Sequence, residues 1–175
     1  MMGRTHAMLG ISSLWLLTVL PPQVITANWG VLATCAALGA LLPDLDAPES
    51  LLKHITVGAV KPFLLPAQAL HQQLGHRGLL HSLLGWSIFS VVLWPVAFYG
   101  GWQPWLVMSL GYGSHLLADA CTKSGIPLCY PKPHIYLILP RAWSLSTGSL
   151  AEEAVFALAA VSSLWLLLSQ LKLLS

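Results

Sequence analysis

Four groups of side chains in this sequence have the types and spacing to hold a cation. They are His6; Asp44 with Asp46; His76 and His81 with Arg77 between them; and His115 with Asp119. A mixed set of imidazole and carboxylate donors suits zinc best, with manganese or iron as alternatives, ahead of calcium or magnesium. His115 and Asp119 stand four residues apart, so on a helix they share a face and can grip one ion from successive turns. Asp44-Leu45-Asp46 follows Pro43, and an extended backbone there would point both carboxylates the same way. His81 is expected one turn inside a helix and His76 just before its start, so both converge if the chain bends at Gly78. Singly, each group has an ordinary use: an intrahelical hydrogen bond, a turn or cap, or a phosphate-binding loop. Gathered together, the aspartates need a counter-charge, and a divalent cation supplies it.

The elements that must position these groups are set by an unusual composition. Of 175 residues, 56% are hydrophobic and 8% charged, against about 25% charged in soluble domains. Mean hydropathy is +0.72. A soluble core of this size cannot hide so much apolar surface, so lipid must solvate part of it. The expectation is an all-α integral membrane protein, one embedded domain over residues 1–175, with about five apolar helices. They run Ala7–Leu20, Trp29–Leu42, Leu79–Tyr99, Trp102 or Trp105 to Ala118, and a last one to Leu171. The first two fall short of the ~20 residues a full bilayer needs. The last opens on Ser149-Leu150-Ala151-Glu152, a capping-box pattern, although Glu152 or Glu153 could also ligate. Trp29, Trp94, Trp102, Trp105 and Trp165 lie near segment ends, where aromatic belts form. The stretch Leu51–Leu74 is interrupted by Lys53, Lys61, Pro62 and Pro66. It reads as an amphipathic segment in the headgroup layer, its lysines reaching lipid phosphates.

Tracing alternate crossings puts the N-terminus, Pro43–Gly78 and Ala120–Ser149 on one face. Arg4, Lys53, Lys61, Arg77, Lys123, Lys132 and Arg141 fall there, while Lys172 falls on the other. The positive-inside rule makes the charged face cytoplasmic. All four donor groups lie at that boundary. A cleaved leader is the rival reading of the first segment and would remove His6, but Ile25 occupies the position where a cut after Ala27 wants a small residue. A net charge of +2 is no nucleic-acid footprint. Cys35, Cys121 and Cys129 read as unpaired thiols. His54, His71 and His134 read as solvated, and nothing in the sequence sets an oligomeric state.

The strings Leu41-Leu42-Pro43-Asp44-Leu45-Asp46, Gly75-His76-Arg77-Gly78-Leu79-Leu80-His81-Ser82 and Gly111-Tyr112-Gly113-Ser114-His115-Leu116-Leu117-Ala118-Asp119 resemble the YdjM-like family of bacterial inner-membrane proteins. The likeness continues through Gly125-Ile126-Pro127-Leu128 and Ser146-Thr147-Gly148-Ser149 to Glu152, covering nearly the whole chain. It implies a membrane-bound metal-dependent hydrolase. Its His/Asp pattern is similar to that of the all-helical zinc phospholipase C and P1-nuclease group, which cleaves phosphate esters. Carried over, the resemblance makes His6, Asp44, Asp46, His76, His81, His115 and Asp119 metal ligands. Leu80 stands where family members often have threonine, and the later His-x-x-x-Glu pair of the soluble enzymes is missing.

The expected activity is therefore hydrolysis of a phosphate ester at the cytoplasmic membrane surface, with a lipid-like or amphiphilic substrate and membrane lipids as partners. Asp44 or Asp46 would bridge metals or act as general base, and Arg77 would neutralise charge on the phosphate. Lipid phosphatases with a histidine nucleophile need a Pro-Ser-Gly-His string, which is absent. The non-enzymatic rival is a metal-binding or metal-transporting membrane protein, although transport places ligands near mid-membrane and these cluster at helix ends.

Overall fold

The computed structural model describes residues 1–46, the last by its backbone alone, and 78–171. The expected interfacial segment Leu51–Leu74 lies outside the described residues, as do His54, His71, His76 and Arg77. Among the described residues the chain is helical and forms no β-strand, only two isolated bridges.

Helix α1 covers Gly3–Ser12 and tightens into a 3-10 helix over Ser13–Val19. The expected uniform helix Ala7–Leu20 thus starts earlier and changes pitch midway. The hydroxyls of Ser13 and Thr18 donate to the carbonyls of Gly10 (2.6 Å) and Trp15 (2.7 Å), three residues back. Such back-bonding accompanies the tighter turn. Helix α2, Trp29–Leu41, starts where Asn28 Oδ1 accepts the Gly30 and Val31 amides. Pro43 then opens a 3-10 turn over Pro43–Asp46, closed by the Leu45 amide on the Leu42 carbonyl at 3.0 Å. Asp44 and Asp46 are therefore not on extended backbone as expected. Proline's fixed φ suits the first position of a helical turn, and the nearly buried Leu45 is held inward.

After a 3-10 turn at Leu79–His81, α3 runs Leu83–Val92 and α4 Trp94–Gly100. The single helix expected over Leu79–Tyr99 is broken at Leu93, because Pro95 lacks an amide hydrogen and fits only the first turn of a new helix. Gly101 takes φ +84 at the corner, and α5 runs Trp102–Ala120. Helix α6, Leu150–Gln170, starts at Ser149, whose Oγ accepts the Glu152 amide. The other half of the capping box is displaced by one residue: Glu152 Oε2 accepts from Gly148 N at 2.6 Å.

The centre of the molecule is the crossing of α1, α2 and α5. A Cβ on Gly111 would collide with the Ala36 carbonyl, and one on Gly39 with Met108. Small residues thus let the two backbones touch, as in membrane helix pairs. Leu14, Leu17, Leu32, Ala36, Val107 and Leu166 fill the core beside this crossing.

The polarity of the fold is inverted relative to a soluble protein. His6, His81, His115, Asp119 and Glu152 are buried. By contrast Val91, Phe98, Leu158 and Val161 are each more than two-thirds exposed. Among the described residues two stretches, Leu83–Gly100 (18 residues) and Leu150–Gln170 (21 residues), are long and apolar enough to cross a bilayer.

Candidate metal centre

The four groups singled out in the sequence are delivered by different elements. His6 lies in the second turn of α1. Asp44 is on the 3-10 turn after α2, His81 on the turn before α3, and His115 and Asp119 on the last turns of α5. His81 is not inside a helix as expected. Ser82 Oγ accepts the Gly85 amide at 3.1 Å and so caps α3, which leaves His81 just ahead of the cap. The turn carrying His81 is held by Tyr112, whose hydroxyl donates to the Leu80 carbonyl at 2.6 Å.

The donor atoms converge closely. His81 Nε2 is 3.3 Å from His115 Nε2, 3.3 Å from Asp44 Oδ1 and 3.7 Å from Asp119 Oδ2. His115 Nε2 is 3.7 Å from Asp44 Oδ1 and 3.7 Å from Asp119 Oδ2. A tetrahedron with bonds of 2.0–2.2 Å has edges of roughly 3.3–3.6 Å. Of the five separations among these four donors, two lie in that range and three just beyond it at 3.7 Å, near the size of a zinc site.

The tautomer of His115 suits that role. Its Nδ1 lies 2.7 Å from the Ala40 carbonyl, which can only accept, so Nδ1 carries the hydrogen and Nε2 presents its lone pair inward. The glycine crossing makes this contact possible, because it brings α2 within reach of α5 just below His115.

His6 extends the cluster. Its ring stacks on that of His115 with centroids 3.7 Å apart, and its Nε2 is 3.2 Å from Asp119 Oδ1. That approach lacks hydrogen-bond geometry, and both nitrogens of this fully buried ring have no hydrogen-bond partner. A buried imidazole left this way is costly. His6, His115 and Asp119 form one group of donors that could hold a cation, and Asp44, His81 and His115 another. The two carboxylate oxygens of Asp119 face different histidines, so this residue can join both groups. The Met1 amino group also reaches Asp119 Oδ1, at 2.9 Å. The residues present fit a divalent cation.

Burial pushes the Asp44 carboxyl upward, but the hydrogen bond from His81 and the fields of His115, His6 and His81 outweigh it and bring it to about 2. It is a carboxylate at neutral pH.

Other expectations separate here. Glu152 is not a member of either donor group: Oε1 accepts the Met2 amide at 2.5 Å and Oε2 the Gly148 amide. Glu153 pairs with Arg4 at the surface. His134 is exposed and packs edge-on against Tyr136. His76, Arg77 and the side chain of Asp46 lie outside the described residues. Sequence reasoning missed the Ala40 carbonyl and the Tyr112 hydroxyl as supports. The Gly39 and Gly111 positions were the available signal, since a glycine on each of two helices permits a close crossing.

The family described as "YdjM inner membrane protein" matches residues 1–173. The chain belongs to the YdjM family. It is 35% identical over 120 residues to "Inner membrane protein YdjM" of Escherichia coli (strain K12), and equally to that of Shigella flexneri. Those matches cover 64% of this chain and 55% of each relative, so the likeness extends over about half the length of those proteins. It is also 30% identical over 159 residues to "Uncharacterized protein YvsG" of Bacillus subtilis (strain 168), covering 90% of this chain and 88% of that one. No solved structure matches. Membership of the YdjM family brings with it a bacterial inner-membrane location.

Proposed function

We propose that this YdjM-family chain is a multi-pass, membrane-bound metal-dependent hydrolase that cleaves a lipid-like or amphiphilic phosphate ester at the cytoplasmic face. The observation that carries the reading is the near-tetrahedral set His81, His115, Asp44 and Asp119, gathered at helix ends beside His6, whose ring nitrogens make no hydrogen bond.

The membrane part of the proposal rests on the inverted polarity. Apolar side chains face outward over α3, α4 and α6, while the histidines and Asp119 are inside. The cytoplasmic assignment rests on charge. Arg4, Lys123, Lys132 and Arg141 lie at the end that holds the donors. The Pro21–Asn28 and Tyr99–Gln103 turns carry no charged residue.

His81, His115, Asp44 and Asp119 would hold the cation, with His6 and Asp46 available to a second and His76 adjoining in sequence. Zinc suits this donor set best; manganese and iron are the alternatives. Bound there, a divalent cation supplies Lewis acidity toward a water and a phosphoryl oxygen. Asp44 is one-fifth exposed by its side chain, whereas the other described donors are essentially buried. It is therefore the group placed to take a proton from a water approaching from outside, with Asp46 two positions on in the chain. Arg77, four residues before His81, is the cation available to the substrate phosphate. A substrate at the lipid–water boundary is supported by the position of the centre.

A second reading is favoured by one observation. Four protein donors closing a tetrahedron leave no open position, which is the arrangement of a site that holds metal without turnover. The chain would then bind or carry metal in the membrane. Metal analysis of detergent-purified protein, beside assays on a phosphodiester and a phosphomonoester, separates the two. Stoichiometric metal and activity lost together in His81→Ala and Asp119→Ala support hydrolysis. Metal with no turnover on either substrate supports the second reading, and folded metal-free wild type defeats both.

A further inference from the structure

Two apolar hollows flank the last turns of α5, and Leu117 is the ridge between them, forming part of both walls. One, of about 270 Å³, is closed by Leu83, Trp86 and Ile138. The other, of about 490 Å³, is closed by Leu139 and Val155. Both are walled almost wholly by carbon. Leu117 lies two positions beyond His115, so helical spacing turns it about 200° from the metal donors, toward the outside. It is 62% exposed. In an inner-membrane protein these hollows open to lipid.

Two hollows divided by one ridge suit two chains leaving a common origin. The loop over the C-terminal end of α5 is charged to receive that origin. Residues 120–148 include Lys123, Lys132 and Arg141, all exposed, and contain no Asp or Glu. The loop shares the walls of both hollows and is pinned there by backbone bonds that include Lys123 N to Leu145 O at 3.0 Å and Ile138 N to Ala120 O at 2.9 Å. The negative end of the helix is covered, since the carbonyls of Ala118, Asp119 and Ala120 accept from Cys121, Thr122 and Ile138 amides. It therefore offers an anion little repulsion.

We propose that one anionic two-chain phospholipid sits astride Leu117, an acyl chain in each hollow and its headgroup against Lys123. Met1, whose amino group meets Asp119, also lines the larger hollow, but no metal donor lines either one, and the binding does not depend on hydrolysis.

Native mass spectrometry of the full chain, titrated with dioleoyl-phosphatidylglycerol or dioleoyl-phosphatidylcholine, tests this. One phosphatidylglycerol should be retained per chain, about fivefold or more in preference to phosphatidylcholine. Leu83→Trp and Val155→Trp, each filling one hollow from a partly exposed position, should weaken retention at least about tenfold. Circular dichroism checks that both are folded. Lys123→Gln is at the surface and spares the fold; it should remove about fivefold of the headgroup preference and leave phosphatidylcholine binding unchanged. Equal retention of both headgroups overturns the proposal. So does lysophosphatidylglycerol binding as tightly as the two-chain lipid, or retention unaffected by either tryptophan. A stable dimer cross-linked through position 117 would assign the surface to a second copy instead.

Discussion

Two buried polar clusters sit at opposite ends of the helices, and they differ in one respect that matters. At the far end, Gln103 is 3% exposed and fully engaged. Its Oε1 accepts the Thr26 and Ala27 amides at 3.2 and 2.8 Å, and its Nε2 donates to the Val24 carbonyl. It ties the Pro21–Asn28 turn to the start of α5 and asks for nothing further. At the near end, imidazoles and carboxylates crowd within 3.2–3.7 Å while both nitrogens of His6 lack a hydrogen-bond partner. Buried polarity alone does not mark a site. Donors that the chain gathers and then fails to satisfy do.

The comparison can be broken by removing one donor at a time. Asp119→Ala should have the largest effect, abolishing stoichiometric metal, because Asp119 lies within 3.7 Å of His6, His81 and His115. Metal content after dialysis measures it, and unchanged metal would dissolve the distinction between the clusters. Gln103→Ala should do the reverse. It leaves several buried backbone groups unmet, costing about 1–3 kcal/mol in thermal or denaturant stability, with metal content unchanged. If metal vanished as well, the two ends would be one cooperative unit and the contrast would fail.

Smaller effects sharpen the point. Gly111→Ala puts a Cβ into the Ala36 carbonyl and should cost about 1–3 kcal/mol. By moving the Ala40 carbonyl off His115 it should also weaken metal binding by about 10–100-fold. A stability loss without any change in affinity would show that the crossing does not orient His115. Protons compete with metal for imidazole and carboxylate, so affinity should fall on acidification and recover when the pH is raised again. Gln103 does not titrate, so the far end should be indifferent to that change. Ser149→Ala, which removes the α6 cap, should cost about 1 kcal/mol and leave metal in place, read by thermal melting.

Much of the near cluster was legible because it rests on local rules. A four-residue spacing puts His115 above Asp119, Pro43 ends α2 next to Asp44, and Ser149 marks the start of α6. Local rules failed where a neighbour intervened. Asp44 sits on a 3-10 turn, not extended backbone, because Leu45 is drawn inward. His81 lies before α3 because the Ser82 hydroxyl takes the cap. Glu152, open as a ligand in the sequence, is used up by the Met2 and Gly148 amides, and Met2 is 150 residues away.

By itself the sequence determined the all-helical class, the chemical types of the donors and the fact that they gather near helix ends. Composition, periodicity and proline positions act over a few residues and can be read there. Tertiary structure alone decided which donors meet, which tautomer His115 holds and which hydroxyls and carbonyls support them. Those depend on contacts between segments far apart in the chain, above all the glycine-lined approach of α2 to α5. Short-range spacing carries no information about such distances.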